Sequence, residues 1–496
     1  MGVIIRQSIK ATIFNYVGAF IGFLTTFFIL TKYVEPEVIG LTKVLYEVAA
    51  LIAGFAQLGT SASAMRFFPY FKNPENNHNG FFFYLMLMPA LGSALFIFLF
   101  LCFKHYVLDF FSEKSAWLAD YYNWLVPLIL FLTFWAVLET YSNILMRIVV
   151  PKFIREVGIR IFSLGLFLCY AGGILDLDGL VAGYVAMYGI AMAATLWYVS
   201  RITSVSFRHN FAFWDKALLK KIGHYTLFLI IGAIGGNIIS QLDLFMVSSR
   251  LGLEYAGIYT IASYMAFVIE IPGRSITSIS APIAATALKQ NDFDTANGLY
   301  KQVSLHQLMV GSIFFLLIWI NIDNIFAVLP NGDIYRQGKW VVFFIAMSRL
   351  VGMTLGFGAT LISFSKYYYW GLYFTFLLTG ITIVTNELLI PLCGITGAAL
   401  ATFLTCVVSY LFQQWIVMRK VNGNPYTWGT VKQILLICFL LGINELLPAV
   451  LANPWLDACY RTAIVGLLCL VMVYKLNISE QVNRLLKKHL RLDKLL

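Results

Sequence analysis

Long apolar runs, each bounded by charged or turn-forming residues, recur from one end of the chain to the other. A run of roughly 20 such residues is what a helix needs to cross the hydrocarbon of a bilayer. The pattern predicts spans at 8–31, 38–64, 80–104, 117–146, 152–172, 179–200, 223–248, 255–285, 303–329, 338–364, 367–390, 393–418, 431–451 and 457–476. Several are longer than a perpendicular crossing requires, so tilt or extension beyond the hydrocarbon is expected. No polar stretch is long enough to fold as a soluble domain. The expected fold is an all-α integral membrane protein of about fourteen transmembrane helices.

Composition supports lipid as the main solvent: 60% of the 496 residues are hydrophobic and 12% charged. The net charge of +11 would raise nucleic acid as a partner for a soluble protein. Here the basic residues fall between spans. With both termini placed in the cytoplasm, 25 Lys and Arg lie in inner segments and 7 in outer ones, as the positive-inside rule requires. Nucleic acid is therefore not an expected partner. Arg6 and Lys10 precede an apolar segment too long for a signal peptide and without a small-residue cleavage site, so that segment reads as a permanent span. The seven cysteines are scattered through apolar runs without a CxxC pair and read as small buried hydrophobes, with neither a disulfide framework nor a metal site.

Two short echoes divide the chain. Residues 34–40 (VEPEVIG) match residues 251–257 (LGLEYAG), aligning Glu37 with Glu254 and Gly40 with Gly257, an offset of 217. Residues 179–183 (GLVAG) match residues 394–398 (GITGA) at an offset of 215. Two echoes at nearly one offset indicate a duplicated six-span unit, and an even span number makes the copies parallel, related by a pseudo-twofold along the membrane normal. The expected organisation is an N-lobe at 1–200, a basic cytoplasmic linker at 201–222, a C-lobe at 223–418, two further spans within 419–476, and a tail at 477–496. In that tail Ile478, Val482, Leu485, Leu486, Leu490 and Leu492 could share one face of an amphipathic helix on the anionic inner leaflet.

Ionisable residues inside a span are costly, and they face a protein interior or a wet cavity. The sequence offers Lys43, Glu47, Glu139, Asp243, Glu270, Arg274 and Arg349. Lys43 and Glu47 are four apart, as are Glu270 and Arg274, so each pair can neutralise itself along one helix face. Lys43 also lies near a span end, where it can snorkel. Arg349 has no acidic residue within four positions. It needs a pair from another helix, with Asp243 or Glu139 as candidates, or a wet cavity or an anionic ligand, for which the planar guanidinium suits a diphosphate. Arg274 follows Pro272 and Gly273, which break a helix and free backbone groups. Asp243 could bind a proton or sodium ion, or lock one conformation by ion pairing; Glu139 and Asn15 are weaker candidates for the same cavity.

Enzyme signatures are absent: there is no P-loop, the six histidines are dispersed, and the outer loops are short. Neither a cofactor nor a metal is expected. The cluster Tyr367, Tyr368, Tyr369 and Trp370 reads as an interfacial aromatic belt.

The chain resembles the polysaccharide transporter branch of the multidrug/oligosaccharidyl-lipid/polysaccharide exporter superfamily, the Wzx-type flippases. The resemblance spans the chain and rests on the fourteen-span layout, the basic linker, and three segments: NYVGAFIGFLTTFFILTKYVEPEVIG, QLDLFMVSSRLGLEYAGIYTIA with its Gly257 and Tyr259, and CGITGAALATFLT. It implies two lobes around a cavity open to one side at a time. It implies transport of an undecaprenyl-diphosphate-linked oligosaccharide from the inner to the outer leaflet of the bacterial cytoplasmic membrane, for O-antigen, capsule or exopolysaccharide assembly. Arg274, Arg349 and Lys43 would then contact substrate. Asp243, Glu270, Glu47 and Glu139 would couple a proton or sodium gradient or form conformational ion pairs. Membrane lipids and a polysaccharide polymerase would be partners. A cation-coupled multidrug exporter of the same superfamily and an O-antigen polymerase or ligase are the alternatives.

Overall fold

The computed structural model describes residues 2–111, 116–203, 220, 222–223, 226, 242–367, 369–448 and 453–490. They form helices joined by short turns, with no strand among the described residues. Among the described residues, eleven helices are long and apolar enough to cross a membrane. Three local features account for the difference from fourteen. The expected fifth span, 152–172, falls on a helical stretch at 149–171 that carries Lys152, Arg155, Glu156 and Arg160 and is wound as a π-turn at Ile154–Gly158. The expected seventh lies mostly outside the described residues. The eleventh and twelfth form one helical run, Trp370–Ile416, interrupted at Gly394, where φ is +60°. There the chain turns back. Thr385 Oγ1 lies 3.2 Å from Thr405 Oγ1, although twenty residues of straight helix would hold them about 30 Å apart. A side chain at Gly397 would also collide with the Leu389 carbonyl.

The chain divides into two compact units, Met1–Thr260 and Ile261–Leu496. The first unit therefore includes both copies of the first echo, residues 34–40 and 251–257. Its core is aromatic: Phe67, Phe68, Phe71, Phe81, Phe82 and Tyr141 cluster at one end of the helices, with Phe68 and Tyr141 edge to face at 6.1 Å. The echo segments meet directly in this unit. A Cβ on Gly40 would run into the Leu253 carbonyl, and one on Gly257 into the Pro36 carbonyl. The offset of 217 maps each contact onto the other, so the pair has local two-fold symmetry. Two backbones approach this closely only where neither helix carries a side chain.

The second unit is built on Phe293–Trp319, Lys339–Leu355 and the Gly394 hairpin. Asp292 caps the first of these, its carboxylate accepting from the Thr295 N–H at 3.0 Å. At one end Tyr300 is fully buried among Phe357, Leu361 and Val417, its hydroxyl 2.6 Å from Gln414 Oε1. The last two long helices, Trp428–Leu446 and Pro454–Lys475, are joined by a polar knot. Arg461 donates to Asp457 at 2.7 Å, to both oxygens of Asn444 at 3.0 and 3.2 Å, and to the Leu447 carbonyl at 3.3 Å. Asn324, from Ile322–Val328, donates to the same Asp457 oxygen at 2.7 Å. Beyond these helices the tail continues as the helix Glu480–Leu490, seated through Asn483, which donates to the Tyr474 carbonyl at 3.0 Å.

Of the expected aromatic cluster Tyr368 lies outside the described residues, while Trp370 lies 5.5 Å from Tyr373 and packs beside Tyr369 and Phe412.

Candidate functional site

The polar site of the second unit starts from a broken helix. Leu253–Phe267 tightens into a single turn at Val268–Glu270, and a new helix, Ile271–Lys289, begins with Pro272 in its first turn. Proline is tolerated there because the first N–H groups of a helix lack intrahelical acceptors. The break puts Glu270 at the head of the second helix and Arg274 one turn below it. Gln307 steadies this stretch, its amide donating to the Gly273 carbonyl at 3.1 Å and to Thr277 Oγ1 at 2.8 Å.

Arg349 arrives from Lys339–Leu355 and meets the same carboxylate. Arg274 Nε lies 3.4 Å from Glu270 Oε1, and Arg349 Nη1 lies 3.2 Å from Oε2. Both guanidiniums also stand over the Phe267 ring, at 4.8 and 5.9 Å from its centroid. The three charged side chains border a cavity of about 440 Å³, whose walls include Gln307, Ser348, Cys406 and Tyr410. Gly352 and Gly356 leave room for the Tyr410 ring: a Cβ at Gly352 would sit 3.0 Å from its hydroxyl. The side chains of Arg274, Arg349 and Glu270 are 59, 43 and 28% exposed. Two cations against one anion leave the cluster with a surplus positive charge in a space large enough for a headgroup.

The other sequence candidates fall in the first unit. Lys43 and Glu47 form the expected pair along one helix, and Lys43 Nζ lies 5.2 Å from the Tyr46 ring, which stacks on Tyr188. Asp243 accepts a hydrogen bond from Tyr259 at 3.2 Å, so the tyrosine of the Gly-x-Tyr segment holds this carboxylate. Asn15 is exposed on Gly2–Leu24.

The partners weighed for Arg349 from sequence need correction. Arg349 pairs with Glu270, and Glu139 pairs with Arg155, whose guanidinium also stacks at 5.0 Å on Trp135. Sequence spacing finds partners only along one helix, whereas Glu270 is 79 residues from Arg349. Arg155, Glu156 and Arg160 lie inside the expected fifth span but are not among the sequence candidates. Arg160 instead pairs with Glu156 at 3.5 Å and donates to the Gly18 carbonyl at 2.7 Å. Gln307 and Tyr410 carried no charge to mark them. The available signal was Gly352 and Gly356, four apart and facing one side of a helix.

The fold has solved counterparts. The chain is similar to the lipid II flippase MurJ in an inward closed conformation, at 12% identity and a TM-score of 0.71 over 96% of this chain and 100% of that one. It is also similar to an inward-facing multidrug resistance MATE family transporter of the MOP superfamily, the multidrug/oligosaccharidyl-lipid/polysaccharide group. That match has 15% identity and a TM-score of 0.58 over 84% of this chain and 98% of that one. An uncharacterized membrane protein of Methanocaldococcus jannaschii is 19% identical over 449 residues, covering 84% of each chain. The likeness is one of fold, that of a multi-pass helical membrane body. Residues 4–285 match the model of the family described as polysaccharide biosynthesis protein, and the chain belongs to that family.

Proposed function

We propose that this protein is a flippase for a lipid-linked oligosaccharide carried on undecaprenyl diphosphate, moving it from the inner to the outer leaflet of a bacterial cytoplasmic membrane for O-antigen, capsule or exopolysaccharide assembly. The observation that carries this reading is the meeting of Arg274 and Arg349 at one cavity. A diphosphate sugar cannot cross hydrocarbon unaided, because stripping water from its charges is too costly. Two guanidinium forks supply charge-assisted hydrogen bonds in place of that water. In this reading residues 1–200 and 223–418 are lobes that expose the cavity to one side at a time, with both termini cytoplasmic and the lipid tail left in the bilayer. The helices within 419–476 are an added pair, and the tail at 477–496 lies on the inner leaflet. Asp243, held by Tyr259, is the candidate for coupling to a proton or sodium gradient. A polysaccharide polymerase would take the product.

The test is deletion of the gene in its native host, with lipid-linked sugars quantified by mass spectrometry and assigned to a leaflet. The expected result is build-up of a complete, unpolymerised repeat on its carrier in the inner leaflet, reversed by the wild-type protein and not by Arg349→Ala at equal abundance. Build-up in the outer leaflet would point to a polymerase or ligase. Unchanged lipid-linked sugars would leave multidrug export as the reading to pursue.

A further inference from the structure

Among the described residues that line the cavity, Glu270 is the one carboxylate, and it stands between the two cations that an anionic headgroup would seek. Its presence there lowers the affinity for every anion. Before a phosphate can engage both guanidiniums, the carboxylate must leave. Its hold is loose: 3.4 and 3.2 Å, where charge-assisted pairs of this kind close to about 2.7–2.9 Å. Its side chain is 28% exposed, so water can receive the displaced charge.

The charge balance separates two kinds of lipid headgroup. Arg274 and Arg349 together carry two positive charges, and Glu270 cancels one. A phosphodiester brings a single negative charge, so displacing Glu270 merely exchanges one anion for another. A diphosphate esterified at both ends brings two, one for each guanidinium. We infer that Glu270 is a built-in competitor that an anionic headgroup must displace to engage both guanidiniums: a dianionic diphosphodiester does so with a net gain of one ion pair, while a monoanionic phosphodiester, including the anionic phospholipids of the surrounding bilayer, only replaces the pair it breaks. The inference rests on Arg274 and Arg349 being the headgroup site.

The experiment uses the purified full chain in neutral detergent and three soluble short-chain probes. These are citronellyl-diphospho-N-acetylglucosamine, citronellyl-phospho-N-acetylglucosamine and dioctanoyl phosphatidylglycerol. Binding is measured calorimetrically for the wild type, E270Q, E270D and R349A. The wild type should favour the diphosphate by about tenfold or more, and E270D should keep that preference. In E270Q all three probes should gain about tenfold, with their order of preference kept. A carboxylate that only props up the arginines predicts the reverse: E270Q weakens all three probes. That result, or unchanged affinities in E270Q, overturns the inference while R349A-sensitive diphosphate binding still stands. If the wild type fails to bind the diphosphate, or binds it equally well in R349A, the headgroup site itself is wrong and the inference falls with it.

Discussion

Two ion clusters in the second unit use similar chemistry to opposite ends. At Asp457 and Arg461 the side chains are 7 and 13% exposed, and the guanidinium is taken up by a carboxylate, an asparagine side chain and two backbone carbonyls. At Glu270 one carboxylate is shared by two arginines at longer range, and all three side chains reach an open cavity. The first arrangement spends its hydrogen bonds on holding the last two helices together. The second holds its arginines in place while leaving most of their donors for something else. A buried charge is thus a poor guide to function until its donors have been counted.

The largest effect should come from breaking the closed cluster. Arg461→Ala strands a buried carboxylate and should cost about 3 kcal/mol of stability, read as a lower Tm in detergent. Replacing both members, Asp457→Leu with Arg461→Met, should recover much of that loss, because the penalty lies in the orphaned charge. An equal loss in the double variant would mean that the knot also depends on the Asn324 and Asn444 contacts for its geometry.

The open cluster should behave in the opposite sense. Arg349→Ala removes a half-exposed pair and should change stability by no more than about 1 kcal/mol. Transport of the lipid-linked sugar should nevertheless fall by about tenfold or more, the scale of losing hydrogen bonds to a charged group. A matching drop in Tm and transport would move Arg349 into the same structural class as Arg461.

The smallest effect lies outside both clusters. The Thr295 hydrogen bonds hold the Asp292 carboxyl below its ordinary range. Its capping contribution is therefore complete above the ordinary aspartate value near 3.8 and fades as pH falls through the depressed one. Acidification below pH 4 should lower the Tm of the wild type slightly more than that of Asp292→Asn, which keeps an acceptor that does not titrate. Parallel curves would remove the cap from the account.

Most spans are legible in the sequence because hydrophobic length is a property of single helices. The fifth is the instructive case. The expected span runs through Lys152, Arg155, Glu156 and Arg160, and what the sequence does not show is where their charges go: Glu139, the Gly18 carbonyl and one another receive them. The Lys43–Glu47 pair was readable from its spacing of four, while the Arg349–Glu270 pair was not, since it depends on which helices are neighbours. The break before Pro272 was visible in the sequence, but the residue that steadies it, Gln307, was not. An uncharged amide gives no sign of its partner until the packing is known.

Gly40 and Gly257 answer to one another. Each backbone offers its neighbour the same contact that it receives, a carbonyl four residues before a glycine. Such reciprocity is the mark of an interface between two identical subunits. A side chain at either glycine would therefore push on the backbone of the other copy, and the two positions act as one constraint counted twice.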